Sequence, residues 1–565
     1  MATGAELVVE CLKAEGVRYL FGVTGSSFLT ILDVLYRTPE IQYVMSQHEQ
    51  GASYMAGGYA RSTGKPGVVI VHHGVGLTNA FTGVVGAFYS STPYIMLSPE
   101  SSTLEYGRGA SNRHEMDQVA VMKPVTKLAE RVERVERIPE MMQRAFRAAT
   151  TGRPGPVYVG LARDVLRGKA DVAVLPPERY RPIVPLRGNP QEINRALDML
   201  IKAQRPVILA GGGINVAQAN AELLKLAELL CAPVAGTADC KGVIPEDHPL
   251  ALGVAGYQGR EYCLETLQQA DVILAIGCTF SANTTAEYTE KVLSKQAKII
   301  QVDIDPFEIG KNWPVDVGIV GDAKAVLQDM ILMVEVEARQ AARRSLEQDG
   351  RIKGIRRLKE EWAESFRQQA SSDKVPIQRF RLLADLRKAL PRDAVVGAES
   401  GGTHQWFQFA FDALVPPAYL GGWHSLGSEY CEALGAQLAL PDKQVVCITG
   451  DGSMMMCLQE LATAALYDIK ALCVVCVNGS FGNIRHSQLT RYKGRIIGTD
   501  LPIPNLTIFA KEFGLYAERV EEPKDIVPAV GRALSSGKPS LLEVIIDTDL
   551  ENLRPQCPLD LEREH

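Results

Sequence analysis

The chain has 565 residues, of which 46% are hydrophobic and 22% charged, and 60 Lys and Arg against 66 Asp and Glu leave a net charge of −6. This composition excludes a mainly disordered chain, and the slight acidic excess gives no electrostatic reason to expect a nucleic-acid partner. No apolar run reaches the roughly 18 to 20 residues that cross a bilayer. Met1 to Glu10 carry no Lys or Arg before an apolar block, so we expect a cytoplasmic protein without a secretory signal.

The predicted elements alternate between short apolar runs and amphipathic segments from one end of the chain to the other. Helices are predicted at Glu6 to Glu15 and at Ala217 to Leu230, among others. The apolar runs are rich in β-branched residues and predict strands at 68–71, 94–97, 157–161, 207–210, 272–276, 299–302, 445–448, 472–477 and 541–546. Such alternation predicts an α/β fold with parallel sheets covered by helices on both faces.

Two changes in composition indicate domain boundaries. Pro176 to Pro190 is rich in Pro and Arg and has no clear period, and Glu337 to Lys374 is strongly charged, which is typical of a solvated helix with a connector. We therefore expect three doubly wound parallel-sheet domains at residues 1–178, 189–335 and 376–548, and a C-terminal tail at 549–565. The three blocks look like one architecture used three times.

The most informative stretch is Gly450-Asp451-Gly452-Ser453, which follows an apolar strand. The strand delivers Asp451 to its carboxyl end, the glycines permit a tight turn close to a ligand, and Ser453 can cap the next helix. Asn478 ends the following strand, 27 residues after Asp451. Strand ends at one edge of a parallel sheet are where α/β folds bind ligands. An isolated GDGS is better explained as a helix cap, but with Asn478 these oxygen donors predict a site for Mg²⁺ or Ca²⁺ and a diphosphate.

Gly450-Asp451-Gly452 with Asn478 at this spacing resembles the cofactor motif of the thiamine diphosphate-dependent decarboxylase and carboligase superfamily. Four further stretches are similar to that family's N-terminal pyrimidine-binding domain: 21–26, 48–52, 74–79 and 117–120. Three more are similar to the middle domain of acetolactate synthase large subunits: 302–306, 308–312 and 321–324. The resemblance covers nearly the whole chain and implies a pyrimidine-binding domain, a middle Rossmann-like domain and a diphosphate-binding domain, in that order.

The resemblance also implies a role for each matching residue. Asp451 and Asn478 would ligate Mg²⁺ with the Ser480 carbonyl oxygen, and Leu426 would support the bent cofactor. Gly452 and Ser453 would contact the cofactor's diphosphate, to which the loop Gly401-Gly402-Thr403 would contribute. Gly450 and Asn478 are also implied to bind the cofactor. Glu49 would hydrogen-bond the aminopyrimidine ring.

Glu49 lies on an apolar helix that includes Gly51, Ala52 and Met55. Burial there would raise the pKa of Glu49 and let it exchange a proton with a ring nitrogen. Alone, Glu49 is better explained as an exposed acid at a helix start, where the dipole favours it, but the diphosphate motif favours catalysis. In this family the pyrimidine domain of one subunit faces the diphosphate domain of another. The resemblance therefore implies a homo-oligomer, commonly a dimer of dimers, with Glu49 and Asp451 meeting at the subunit interface.

The substrate-side residues resemble a different branch of the family. His72 and His73 stand where acetolactate synthases usually have small residues, and Ser26 with His72 resembles a pair in benzoylformate decarboxylase. A histidine near the reacting carbon can bind a carboxylate or relay a proton, so we predict Ser26, His72 and His73 as catalytic residues. Simple packing is an equal alternative for His73.

FAD is not expected. Acetolactate synthases carry an Arg-Phe-Asp-Asp stretch after the strand that matches 272–276, where this chain has Cys278-Thr279-Phe280-Ser281. Gly211-Gly212-Gly213 could hold an adenine nucleotide, but a lone glycine-rich turn is weak evidence, and a purely structural middle domain is favoured.

The favoured hypothesis is therefore a thiamine diphosphate- and Mg²⁺-dependent decarboxylase or carboligase that acts on a small 2-oxo acid. Three alternatives stay open: a thiamine diphosphate-dependent lyase or acyltransferase with a non-carboxylate substrate, an aromatic 2-oxo acid decarboxylase, and an inactive cofactor-binding paralogue. A nicotinamide dehydrogenase is disfavoured because no GxGxxG with a suitably spaced acid stands out. The sequence does not choose the donor, the acceptor or the stereochemistry.

Overall fold

The computed structural model describes residues 1–109, 114–182, 184–336, 346, 349–416 and 425–548. These residues form two compact units. The first unit takes its residues from Met1–Val184, His424–Asp442 and Met455–Ala471, and the second from Pro185–Trp423, Lys443–Met454 and Leu472–His565. The predicted tail at 549–565 lies outside the described residues. In the part of the chain that is described, no helix is both long enough and apolar enough to cross a membrane.

The secondary structure alternates between strands and helices throughout. The strands are β1 (Ala2–Thr3), β2 (Tyr19–Gly22), β3 (Gln42–Met45), β4 (Gly67–Ile70), β5 (Tyr94–Glu100), β6 (Leu128–Val132), β7 (Pro156–Ala162), β8 (Lys169–Ala170), β9 (Pro206–Ala210), β10 (Val234–Gly236), β11 (Ala251–Val254), β12 (Val272–Ile276), β13 (Lys298–Asp303), β14 (Val317–Val320), β15 (Val395–Ala398), β16 (Val445–Gly450), β17 (Leu472–Val477), β18 (Tyr516–Val520) and β19 (Ser540–Ile545).

The helices, numbered in the same way, lie between these strands. They are α1 (Gly4–Ala14), α2 (Leu29–Tyr36), α3 (Glu49–Thr63), α4 (Val75–Tyr89), α5 (Gln118–Met122), α6 (Ile138–Thr150), α7 (Arg163–Arg167), α8 (Pro190–Lys202), α9 (Gly213–Val216), α10 (Asn220–Leu230), α11 (Glu261–Gln268), α12 (Ala323–Val336), α13 (Gly350–Ser365), α14 (Arg367–Ala370), α15 (Arg379–Ala389), α16 (Gly402–Ala410), α17 (Glu429–Ala439), α18 (Asp451–Met454), α19 (Glu460–Leu466), α20 (Gly482–Arg491), α21 (Leu506–Glu512) and α22 (Ile526–Ser535).

The strands form three parallel sheets. The first has the order β3-β2-β4-β5-β7-β6, the second β11-β10-β9-β12-β13-β14 and the third β15-β16-β17-β19-β18, while β1 and β8 form a separate antiparallel pair. The predicted α/β class with three doubly wound sheets is thus confirmed. The expectation of one architecture used three times is wrong for the middle sheet. The third sheet repeats the order β2-β4-β5-β7-β6 of the first, whereas the middle sheet has the dinucleotide-fold order 3-2-1-4-5-6. The predicted domain boundaries stay predictions.

Sequence patterns explain the individual elements. Strands β4, β5 and β7 are buried along their whole length, as expected when helices cover both faces of a parallel sheet. Helix α6 buries Ile138, Met141, Met142 and Ala145, at the spacing of one helical face. At the start of α1, Thr3 accepts a hydrogen bond from the Glu6 amide while the Glu6 carboxylate accepts one from the Thr3 amide.

In the first unit, helices α3 and α17 pack with their backbones close together. A methyl group at Gly58 would overlap the Glu432 carbonyl oxygen, and one at Gly435 would overlap the Met55 carbonyl oxygen. Arg61 of α3 forms an ion pair with the buried Glu432 of α17. These contacts tie the helix that begins with Glu49 to a helix from the C-terminal third of the chain.

In the second unit, buried charges join the middle sheet to α16. The Lys241 ammonium donates to both carboxylate oxygens of Glu246, at 2.9 and 2.8 Å, and to the Gln408 carbonyl oxygen at 3.1 Å. Glu246 also accepts a hydrogen bond from the Ala413 amide at 2.8 Å. Because the Lys241 side chain is fully buried, these hydrogen bonds fix the end of α16, whose first turn carries the predicted loop at 401–403.

Arg260 and helix α13 extend this network. Arg260 donates to the Phe409 carbonyl oxygen at 2.8 Å and to Asp412 at 2.8 Å, and its guanidinium lies 4.2 Å from the ring centre of Trp362. Lys359 donates to three carbonyl oxygens between residues 246 and 251, at 3.1 to 3.2 Å. The charged segment that we predicted as a solvated helix therefore has one packed face in α13.

We expect Glu246→Ala to destabilise the second unit by about 3–5 kcal/mol, because it leaves the Lys241 charge buried without its partner. The midpoint of thermal unfolding, followed by circular dichroism, measures the loss. Asp247→Ala is the matched control, since the neighbouring Asp247 pairs with the exposed Arg392 and such surface pairs contribute less than about 1 kcal/mol. Equal unfolding midpoints for the two variants would contradict the role of the buried pair.

We expect Glu429→Gln to flatten the pH dependence of stability. Burial at the start of α17 raises the pKa of Glu429 to about 7 from the usual 4.5, against the opposing charge of Arg61. The folded chain thus holds a proton that the unfolded chain releases, so stability falls by up to about 3 kcal/mol as pH rises through this range. A variant without the carboxyl group escapes that loss.

The measurement is the unfolding midpoint of Glu429→Gln relative to the parent, at about pH 5 and about pH 8. The difference should move in favour of the variant at the higher pH. Glu10→Gln, which changes an exposed acid on α1, should show no such trend. An identical difference at both pH values would argue against a protonated Glu429 in the folded chain.

Candidate functional site

The carboxyl ends of β15, β16 and β17, which are neighbours in the third sheet, carry the predicted cofactor residues. The chain leaves β15 at 399–403, β16 at 451–453 and β17 at 478–480. Parallel pairing places these three segments at one edge of the sheet, where α/β folds bind ligands.

The Asp451 carboxylate organises this edge. It is buried and accepts hydrogen bonds from the amides of Gly452 at 2.8 Å, Asn478 at 2.9 Å and Gly479 at 2.7 Å. Burial raises the pKa of Asp451, and the three amides oppose this shift. The Asn478 side-chain oxygen in turn accepts from the Ser480 amide at 3.1 Å. The predicted metal ligands Asp451, Asn478 and Ser480 therefore belong to one hydrogen-bonded turn.

The donors of this turn fit a hard cation. A carboxylate, an amide oxygen and a backbone carbonyl are oxygen ligands of the kind that Mg²⁺ prefers. Among the described residues, no group of three or more His, Cys, Asp or Glu is placed to hold a metal. A cation at this edge would thus depend on the amide and carbonyl oxygens as well as on Asp451.

The neighbouring loop fits a phosphate-bearing ligand. Gly401 has φ 105° and ψ −150°, a backbone conformation that favours glycine, immediately before α16. The buried hydroxyl oxygen of Ser400 has no hydrogen-bond partner in the described structure, and the atom nearest to a methyl group at Gly450 would be the Thr403 hydroxyl, 4.0 Å away. The edge therefore has room and an unused polar group beside Gly402 and Thr403.

The structure also shows where three other predicted cofactor residues, Gly452, Ser453 and Leu426, lie. A methyl group at Gly452 would lie 2.6 Å from the Phe481 ring, so this glycine also allows close packing. Ser453 lies inside α18, which begins at Asp451, so the expectation that it caps the helix is wrong. Leu426 lies half-buried in the turn before α17, in the first unit.

The first unit holds Glu49 and the histidines at the carboxyl ends of β2, β3 and β4. Glu49 is the first residue of α3, and its carboxylate accepts a hydrogen bond from the Asn79 side chain at 3.0 Å. A methyl group at Gly76 would lie 3.1 Å from Glu49 Oε1 and 3.1 Å from His72 Cβ, so Glu49 and His72 flank this glycine. Glu49 is only half-buried within this chain, less than the sequence analysis expected.

Glu460 was not found by sequence reasoning. Its buried carboxylate accepts hydrogen bonds from the amides of Gln47 at 3.2 Å and His48 at 3.0 Å, and from the Thr463 hydroxyl at 2.6 Å. Burial raises the pKa of Glu460, against these hydrogen bonds. Glu460 thus holds the two residues before Glu49. The only signal in the sequence is an acid at the start of the otherwise apolar α19.

Three histidines lie together beside Gly76. The ring centres of His72 and His73 are 4.3 Å apart, and that of His114 is 6.1 and 6.0 Å from them. Ser27, rather than the predicted Ser26, contacts His72, with 2.7 Å between Ser27 Oγ and His72 Nδ1. Ser26 is exposed. His114 and Ser27 are thus additions to the predicted group.

Burial is the main cause that lowers the pKa of His72, followed by the neighbouring His114, while Glu49 opposes the shift. Gln118 fixes the loop that carries the pair His72-His73. Its side-chain oxygen accepts from the Gly74 amide at 2.7 Å, and its side-chain nitrogen donates to the Tyr158 hydroxyl at 3.0 Å. The loop that carries the His72 and His73 imidazoles is therefore held by a hydrogen bond to the buried Gln118 side chain.

The glycine-rich turn of the middle sheet has a packing role. It follows β9, next to the turn after β12, where the strand order reverses. A methyl group at Gly211 would overlap the Gly277 carbonyl oxygen, which accepts a hydrogen bond from the Gly213 amide at 3.1 Å. Close contact between the two turns explains Gly211 and Gly213, whereas Gly212 has open space around it.

Comparison with known proteins gives matches along the whole chain. Residues 2–121 match the N-terminal TPP binding domain of thiamine pyrophosphate enzymes, residues 193–330 their central domain, and residues 400–544 their C-terminal TPP binding domain. Thiamine pyrophosphate is another name for thiamine diphosphate.

Curated relatives are similar over nearly their full length. The chain is 36% identical over 559 residues to a probable acetolactate synthase large subunit of Methanocaldococcus jannaschii, covering 96% of this chain and 92% of the relative. It is 33% identical over 572 residues to the acetolactate synthase isozyme 3 large subunit of Escherichia coli, covering 99% and 97%. As the motif from Gly450 to Asn478 predicted, the chain belongs to the family of thiamine diphosphate-dependent enzymes and is similar to acetolactate synthase large subunits.

Proposed function

We propose that this protein is a thiamine diphosphate- and Mg²⁺-dependent carboligase of the acetolactate synthase kind. It would remove CO₂ from one small 2-oxo acid and join the remaining acyl group to the carbonyl carbon of a second. The observation that carries the proposal is the Asp451 carboxylate, bound by the amides of Gly452, Asn478 and Gly479 beside the open loop at 400–403. The similarity to acetolactate synthase large subunits supports the choice of reaction.

The residues that would hold the cofactor are those predicted from the sequence. Asp451, Asn478 and the Ser480 carbonyl would bind Mg²⁺, and Leu426 would support the cofactor from below. The residues proposed to bind the diphosphate are Gly401, Gly402, Thr403, Gly450, Gly452 and Ser453. When bound, thiamine diphosphate supplies the carbon nucleophile and the electron sink for the chemistry.

Glu49 would hydrogen-bond the aminopyrimidine ring and exchange a proton with it. Asn79 orients one carboxylate oxygen of Glu49, and Glu460 fixes the chain before it. These contacts support the role because a proton-transfer group must be held within hydrogen-bond reach of its partner.

The histidines suit a substrate with a carboxylate. His72, His73 and His114 provide imidazole nitrogens beside Gly76, and Arg163 is close enough to influence the titration of His72. An anionic 2-oxo acid would find hydrogen-bond donors and a positive charge here. The same histidines favour a second candidate function, the decarboxylation of an aromatic 2-oxo acid, which the sequence analysis left open.

We further propose that the enzyme works without FAD, as a cytoplasmic homotetramer in which Glu49 and Asp451 meet at a subunit interface. The sequence 278–281, which lacks the Arg-Phe-Asp-Asp stretch, and the packing of Gly211 against Gly277 support the absence of FAD. Glu49 and Asp451 belong to different compact units, and their meeting is implied by the family resemblance.

Activity and stability should both depend on the cofactor pair. With protein stripped of bound molecules, adding thiamine diphosphate and Mg²⁺ should raise the unfolding midpoint, by about 2.7 kcal/mol of stabilisation at a hundredfold excess over Kd, and should start CO₂ release from pyruvate. Mg²⁺ alone and the variant Asp451→Ala are the controls. Unchanged melting with both additions would contradict the proposal.

Product analysis after incubation with pyruvate or benzoylformate separates the two candidate reactions. Formation of a condensed hydroxy-oxo acid from pyruvate supports the carboligase. Formation of an aldehyde from benzoylformate, with no product from pyruvate, supports the aromatic decarboxylase. A flavin absorbance band in the purified protein would overturn the absence of FAD.

Glu49→Gln should lower turnover by at least about a hundredfold, the usual scale for losing a general acid–base group, with little change in the unfolding midpoint. Steady-state rates at saturating thiamine diphosphate measure the effect. The control is Glu40→Gln, which changes an exposed acid of the same unit and should leave turnover unchanged. Near-normal turnover of Glu49→Gln would remove Glu49 from the mechanism.

A further inference from the structure

The loop after β2 is shaped around the ring of His72. Ser27 Oγ lies 2.7 Å from His72 Nδ1. A methyl group at Gly25 would lie 3.0 Å from the same nitrogen and 3.1 Å from His72 Cβ, so a larger residue there would have to displace the ring or the loop by a few tenths of an ångström. Ser26, between them, is exposed. The Nδ1 edge of the ring is thus held by the hydrogen bond with Ser27, and the backbone at Gly25 packs closely against the same edge.

Four titratable or charged side chains lie near this ring, one on the same loop and three on other segments. His73, on the same loop, is buried with its ring centre 4.3 Å away, and His114 approaches edge-on at 6.1 Å. Glu49 lies on the other side of Gly76, and Arg163 is within electrostatic range. The ring is therefore flanked by ionisable side chains on several sides.

We propose that Ser27, and not Ser26, is the positioning residue of His72, and that its hydroxyl oxygen accepts a hydrogen bond from Nδ1–H, so that the Nε2 lone pair is left to act on the substrate. This inference rests on the proposed function in so far as His72 acts on the substrate. The contact between Ser27 and His72 itself does not depend on which substrate binds.

A neutral imidazole has two tautomers, and in each of them one nitrogen carries a proton and the other a lone pair. A hydrogen-bond partner at one nitrogen decides which of them is protonated. Burial and His114 lower the pKa of His72, so its ring is neutral near pH 7 and available as a base. With Nδ1–H donating to Ser27, the free base is Nε2.

The proton balance is simple. In the proposed condensation, the oxygen of the transferred acyl group loses a hydroxyl proton as it becomes the ketone of the product. Nε2 accepts this proton, and the resulting imidazolium keeps its Nδ1–H bond to Ser27. The same proton then returns to the product or passes to water, which restores the neutral ring. Ser27 itself exchanges no proton in this cycle, and it acts by keeping Nε2 in the position for transfer.

The test uses the full-length protein, labelled with ¹⁵N and ¹³C in its histidines and measured without substrate. The His72 signals are identified by their loss in His72→Gln, and the nitrogen shifts report the tautomer. Ser27→Ala should change the tautomer of His72 and shift the midpoint of its titration. Ser27→Thr, which keeps a hydroxyl, should show the tautomer and the midpoint of the parent protein. The matched control is Ser26→Ala, which should leave the His72 signals unchanged. A tautomer that responds to Ser26→Ala, or not to Ser27→Ala, would overturn the proposal.

Kinetics test the consequence for the reaction. Ser27→Ala should lower kcat with pyruvate about ten- to a hundredfold, the scale expected when a catalytic group is misplaced by about 1 Å, and should move the acidic limb of the pH profile. In the His72→Gln background the same change should have no further effect, because the two residues act as one unit. If the loss of kcat in the double variant equals the product of the losses in the two single variants, the positioning role of Ser27 is overturned.

The outcomes separate this inference from the proposed function. If the parent protein turns over no 2-oxo acid, the proposed function fails, while the nitrogen shifts still test Ser27. If His72→Gln turns over pyruvate normally, the use of Nε2 as a base is overturned, whatever the tautomer.

Discussion

The arrangement of the chain after β16 and β17 depends on one interaction, the binding of three backbone amides by the Asp451 carboxylate. Gly452 follows Asp451 directly, whereas Asn478 and Gly479 belong to the turn after the next strand. A hydrogen bond to a charged group contributes about 1.5–3 kcal/mol, more than a bond between neutral groups. The cost of burying the charge is visible as the raised pKa of Asp451. The carboxylate therefore stabilises both strand ends and holds them in a single arrangement.

A similar set of hydrogen bonds holds the chain just before Glu49. There the buried carboxylate of Glu460 accepts the amides of Gln47 and His48, and its pKa is also raised by burial. In both places a buried acid binds the backbone beside a residue that we propose to contact the cofactor, Asn478 in one case and Glu49 in the other. The amides involved lie at loop ends, where a backbone without such partners would have to bond water. An acid at each position thus gives a loop the rigidity that a binding site requires.

The sequence predicted the interior of the sheets far better than their edges. All nine predicted strands coincide with interior strands, because β4, β12 and β17, for example, are apolar along their length and bounded by turn residues. None of the six edge strands was predicted. β6 contains Glu130 and Arg131, β3 is partly exposed, and β18 alternates in burial, so that these strands lack the continuous apolar pattern. The strand order of the middle sheet was also beyond the sequence pattern, since periodicity within a strand carries no information about its neighbours.

The site shows the same division between local and distant information. Asp451 and Asn478 could be placed at neighbouring strand ends from chain spacing alone, whereas Ser480 was added by the family resemblance. Glu460 could not, since it contacts residues more than 400 positions away in the chain. For Ser26 and Ser27 the sequence offers two identical side chains, and only the path of the loop after Gly25 decides which one faces His72.

The two buried carboxylates and the Lys241 network show why the functional loops of this fold can be short. These loop ends are held by charge-assisted hydrogen bonds to backbone atoms, and open space remains beside the glycines at 401 and 450. Side-chain packing would need larger residues in the same places, and these would fill the space at the strand ends. Hydrogen bonds from buried charged groups to the backbone can therefore keep a loop rigid and still leave the edge of the sheet open. The cost is that several buried acids are present, whose protonation affects the stability of the fold.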